Sequence, residues 1–148
     1  MTTLRPFILA FAALLAPAAA MAQQQDQEIV VRADTARAEI ERILNADNLD
    51  TTRLSPREVV EIMSGIERGR APQDFWSAYQ LHVQAWANLA DAADSVQGQQ
   101  DGPASTFGLD GLEAAETAVG TTFDEVERVA RAYHARLPAP LVDTRTIA

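Results

Sequence analysis

Residues 75–86 read FWSAYQLHVQAW. Phe75, Tyr79, His82 and Trp86 recur at spacings of four, three and four, which puts them on one face of an α-helix. Ala90 and Ala93 continue the stripe, and Trp76, Val83 and Leu89 widen it. Ser77, Gln80, Gln84, Asn88 and Asp91 fall on the opposite, polar side. The pattern predicts a helix from Ala71-Pro72-Gln73-Asp74 to about Ser95, with His82 in the middle of its buried face and Phe75, Tyr79 and Trp86 as its aromatic neighbours.

The segments on either side are helical too. From about Glu28 to Ala46, residues Ile29, Ala33, Ala36, Ile40, Ile43 and Leu44 share one face. NADNLDTT, residues 45–52, is turn-rich and reads as a loop. Ser55-Pro56-Arg57-Glu58 has the form of a capping box with proline in the first turn, so a second helix starts there. It carries Val59, Ile62, Met63 and Ile66 inward and is expected to stop near Gly69. Residues 97–110, dense in glycine and glutamine, read as the longest loop, with Phe107 pinning it to the core. A last helix is expected from about Gly111 to Arg136. Leu112, Val119, Phe123, Val126, Ala130 and Tyr133 hold one phase through Gly120-Thr121-Thr122, which favours a single helix with a weak point. No segment alternates like a strand. Short connections make neighbouring helices antiparallel, so the expected fold is all-α, a four-helix up-and-down bundle with a short second helix.

The chain has 148 residues and begins with MTTLRPFILAFAALLAPAAAMA. Arg5 precedes an apolar run, and Ala20-Met21-Ala22 offers small residues where a signal peptidase reads. The run is shorter than the about 20 residues that span a bilayer. The expected organisation is a signal peptide at 1–22, a polar linker at 23–27, the helical bundle at 28–137 and a loose tail at 138–148. The destination is the periplasm or the exterior, without a stable membrane anchor.

The chain has no cysteine, which excludes disulfides, thiolate catalysis, c-type haem attachment and zinc–thiolate sites. All 12 basic residues are arginines; removing Arg5 leaves 11 against 21 acids. So acidic a chain repels nucleic acid and anionic lipid. It stays soluble, and a periplasmic protein partner is compatible with it.

His82 has two readings. A core histidine needs a hydrogen-bonding partner on its own or a neighbouring helix. A metal ligand wants carboxylates or a second histidine one turn away, and those places hold Ala78, Ala85 and Trp86. The core reading is preferred. His134, near the end of the last helix, suits the negative end of the helix dipole. Met63 is the only methionine after the signal. His82, Met63 and His134 are therefore the candidates for a haem or metal site, although no motif specifies one. Neither histidine has a glutamate three residues before it, which argues against a di-iron bundle. No serine stands in a nucleophile elbow and no glycine-rich loop would cradle phosphate. Trp76 and Leu81 lie off the central stripe and are the candidates for an interface.

SGIERGRAPQDFWSAYQLHVQAW (64–86) and TTFDEVERVARAYHARLP (121–138) resemble small uncharacterised helical proteins secreted by Gram-negative bacteria. The shared order is a short helix, a Gly69-x-x-Pro72-x-x-Phe75 junction, then Tyr79, His82 and Trp86 at helical spacing. The resemblance implies that the aromatic cluster belongs to the fold, and it implies no activity.

The expected function is thus that of a periplasmic, non-enzymatic helical domain binding a protein or a small ligand, without a cofactor. The alternative is a metal- or haem-binding bundle using His82.

Overall fold

The computed structural model describes residues 18–98 and 106–139. Among them every regular element is an α-helix: α1 Ala18–Ala46, α2 Pro56–Ser64, α3 Gln73–Gly98 and α4 Thr106–Ala132. The packing is compatible with a bundle. Its principal contacts are α3 on α4, with α2 laid against α3. No helix among the described residues is long and apolar enough to cross a membrane.

The chain divides between Arg32 and Ala33 into two units of internal contact. In the first, the helical backbone of α1 takes in residues 23–27, where a polar linker was expected. Ile29 there is 64 % exposed, so its place on a buried face is corrected. Periodicity marks a face, but it does not supply the neighbour that would cover it. Ala33, at the start of the second unit, is likewise exposed. Burial of α1 begins at Ile40 and continues with Ile43 and Leu44.

The second unit holds the core, in which Ile40, Ile43, Val59, Met63, Phe75 and Tyr79 are almost wholly buried. Val126, Val129 and Ala130 of α4 close it. Two contacts set how α3 and α4 run. Near the start of α3, Asp74 accepts hydrogen bonds from the Tyr133 hydroxyl, 2.9 and 3.0 Å to its two oxygens, just beyond the end of α4. Two turns further along α3, His82 meets Thr122, earlier in α4. Positions that rise along one helix meet positions that fall along the other, so the pair is antiparallel. α4 passes through Gly120 without a break.

The start of α2 follows the capping box. The Ser55 N–H donates to Glu58 Oε2 at 2.8 Å, and the Glu58 N–H donates back to Ser55 Oγ at 3.3 Å. The end of α2 differs from expectation. It closes after Ser64 on Gly65, whose N–H donates to the Ile62 carbonyl. Ile62, expected inward, is 41 % exposed. Gly69 serves the turn that follows, where the Ala71 N–H reaches the Arg68 carbonyl. Its φ of +55° is one that only glycine adopts at little cost. A Cβ there would stand 2.5 Å from Glu39 Oε2 and 3.1 Å from Arg42 Nη2. Arg42 holds this junction by donating to the Glu67 carbonyl at 2.7 Å.

α3 runs on to Gly98 and α4 begins at Thr106, so residues 97–98 and 106–110 are helical rather than loop. The expected role of Phe107 lies outside the described side chains. α4 ends at Ala132, short of Arg136, in a Schellman motif. The Ala135 N–H donates to the Ala130 carbonyl and the His134 N–H to the Arg131 carbonyl. His134 itself takes φ +56°, the place where glycine is usual. The segment that follows is tied to α1: the Arg136 N–H donates to Glu41 Oε1 at 2.9 Å and Asn48 Nδ2 to the Ala139 carbonyl at 3.1 Å. Pro138, assigned to a loose tail, is thus part-buried. Residues 140–148 lie outside the described residues.

Candidate functional site

α3 brings His82 to the α4 interface, where it is 4 % exposed. Its Nδ1 lies 2.9 Å from Thr122 Oγ1. One turn along α3, Trp86 Nε1–H donates to His82 Nε2 at 3.2 Å. An indole N–H can only donate, so Nε2 accepts and the proton sits on Nδ1. Nδ1–H then donates to Thr122 Oγ1, whose own hydroxyl donates to the Ala118 carbonyl at 2.8 Å. Both imidazole nitrogens are occupied. The ring meets Trp86 edge-on and tilts against Phe123, with centroids 6.4 and 5.4 Å away. Burial pushes its pKa down to about 4, slightly offset by a hydrogen bond to the Val119 backbone. The imidazole is neutral and fully paired.

The rest of the aromatic stripe follows the sequence. Phe75 and Tyr79 are buried and stacked, with centroids 6.4 Å apart. Trp86 is half-buried. Trp76 folds back on Tyr79, with ring centroids 5.4 Å apart, and borders a cleft of about 440 Å³ between α2 and α3. Leu81 is 62 % exposed.

His82 and Trp86 also face a partly open cavity of about 340 Å³. Leu44 at the end of α1, Met63 of α2, and Val119 and Phe123 of α4 line it as well, and Pro138 closes one side. Phe123, on the apolar phase of the last helix, is 38 % exposed and stands on this wall. An engineered apolar cavity of about 150 Å³ takes benzene, so this one has room for a larger organic molecule.

The second ionisable group on the wall is Asp47, the residue directly after α1. The Tyr79 hydroxyl stands 3.4 Å from Asp47 Oδ1 and 3.5 Å from the Met63 carbonyl, so it is shared between two long contacts. Among the described residues no arginine or histidine forms an ion pair with Asp47. Burial pushes its carboxyl up to about 7, against a smaller opposing effect of the Tyr79 hydrogen bond. The same surroundings push the Tyr79 phenol upward. A carboxyl poised between its two forms on the wall of an apolar cavity marks a candidate binding site.

Of the three haem or metal candidates, the structure brings Met63 and His82 to this cavity. His134 lies beyond Tyr133, at the level where α4 meets the start of α3, and is exposed. Among the described residues no group of three or more His, Asp or Glu side chains is placed to hold a metal ion. Asp47 escaped the reading of the sequence. It sits in NADNLDTT, where aspartate is an ordinary turn residue. The one available signal was its position three residues after the apolar pair Ile43-Leu44, with Leu49 just beyond.

Comparison with protein-family models, curated proteins and solved structures finds no match to this chain.

Proposed function

We propose that this chain is a periplasmic, non-enzymatic binding domain, an up-and-down helical bundle exported behind a signal cleaved near Ala22, which takes a small, mainly apolar ligand. The observation that carries the reading is the cavity between Leu44, Met63, Trp86 and Phe123, with the poorly paired Asp47 on its wall. Apolar walls bind by burial, and a few polar groups orient the guest. A small ligand is favoured over a protein partner because Trp76, the aromatic one of the two interface candidates, is stacked on Tyr79, which leaves the exposed Leu81 as a lone apolar side chain of that pair. The test uses the mature chain with Trp76→Phe, which leaves Trp86 as the single indole. Titration with 4-phenylbutanol should change Trp86 emission saturably; an unchanged spectrum would refute the reading. Intact mass of the exported protein should correspond to a chain starting at Gln23.

A second reading, a haem or metal bundle, has one observation in its favour: Met63 and His82 face the same cavity. It requires Trp86 to release His82 Nε2. A visible absorption band or stoichiometric metal in the purified protein, lost in His82→Gln, would establish it in place of the first.

A further inference from the structure

We infer that the ligand of this cavity is a compact hydrophobic amine, its ammonium set against the Asp47 carboxylate and its apolar body along Trp86 and Phe123. The inference rests on the cavity-binding reading above and names the chemical class of its guest.

Three features of the wall select that class. Asp47 is an acceptor for which the chain supplies only a shared phenol at 3.4 Å, and no cation of the described residues reaches it. Asp47 is part-buried; a carboxylate on an apolar wall is stabilised by an opposite charge and by donors to its oxygens, and an ammonium supplies both. Trp86 and Phe123 also line the wall, and aromatic rings attract cations. The wall carries no cation that would hold an anion; its uncharged polar side chains are Asn48 and Thr51. The other ionisable group there is His82, which is neutral with its Nδ1–H committed to Thr122. The remaining titratable neighbour, Tyr79 on α3, stays a phenol. A carboxylate ligand would therefore face Asp47 without a compensating charge. The volume of about 340 Å³ suits one aromatic ring and a short chain rather than a lipid.

The experiment measures three molecules of one shape, 4-phenylbutylamine, 4-phenylbutanol and 4-phenylbutyrate, by calorimetry at pH 8 against the full mature chain and Asp47→Asn. Asparagine keeps the size of the side chain and removes its charge. The amine should bind at least tenfold more tightly than the alcohol, the carboxylate most weakly, and Asp47→Asn should erase the advantage of the amine over the alcohol. Equal binding of amine and alcohol, tightest binding of the carboxylate, or an amine preference that survives in Asp47→Asn would overturn the amine assignment and leave the cavity reading standing. If none of the three binds, both fall.

Discussion

His82 and Asp47 stand on the wall of one cavity and have been treated oppositely by the fold. At the α3–α4 interface, the imidazole has a donor for one nitrogen and an acceptor for the other. At the end of α1, the carboxyl has a single long contact with a phenol that is shared with a backbone carbonyl. Both groups are pushed toward their neutral forms by the same apolar surroundings. The difference is that the neutral histidine has a protein partner at each nitrogen, whereas the part-exposed carboxyl has one long contact from the chain. A polar group completed by its own chain is part of the core. One left incomplete costs stability and is a place for a guest.

Removing the completed group should have the largest effect. His82→Ala empties ring volume and orphans both Thr122 and Trp86, so it should cost about 2 to 4 kcal/mol in urea unfolding. His82→Gln keeps a donor and an acceptor and should cost less. A nearly unchanged stability in His82→Ala would mean that the imidazole serves something other than the core.

The proton linkage of the two groups has opposite signs. His82 has a folded value of about 4 against an ordinary 6.5, so its contribution is present above pH 6.5 and is lost as pH falls toward 4, roughly 3 kcal/mol in all. Asp47 has a folded value of about 7 against 3.8. Its folded form holds a proton that the unfolded chain has released, so its contribution is fully present below pH 3.8 and is lost as pH rises through 7. Between pH 4 and 6.5 the two oppose each other. Asp47→Asn should therefore show stability falling steeply with acid, His82→Gln should show it rising, and the parent should lie between. Parallel profiles for the two variants would break the comparison.

A smaller effect is expected at the bond that completes His82. Trp86→Phe keeps the packing ring but withdraws the donor to Nε2, and should cost about 1 to 2 kcal/mol. The smallest expected change is a gain, and it contrasts the two histidines. His134 sits in the left-handed region at the end of α4, so His134→Gly should stabilise by about 1 kcal/mol, read as a raised urea midpoint.

What was legible in the sequence was what lies within one helix. The phase of Phe75, Tyr79, His82 and Trp86 places His82 in the core, and the four-residue step to Trp86 already contains one of its two hydrogen bonds. Thr122 could not be read, because the register between α3 and α4 is written in neither helix alone. Ser55 and Glu58 marked the start of α2 because a capping box is a local device. Its end was misplaced because Gly65 and Gly69 both look like terminators, and only backbone geometry separates the cap from the turn. The glycines at 108 and 111 disguised the first turn of α4 as loop. Asp47 was hidden for the same reason as Thr122: what sets it apart is the cavity, built largely by other segments of the chain.

The central claim, that His82 is finished by the fold and Asp47 is not, is tested most directly by urea unfolding of Asp47→Asn beside the parent at pH 8 and pH 5. At pH 8 the parent must keep an ionised carboxylate in apolar surroundings, so the variant should be the more stable of the two, with the gain shrinking at pH 5. A loss of stability at both pH values, comparable to that of His82→Ala, would show that Asp47 is as much a part of the core as the histidine and would contradict the account.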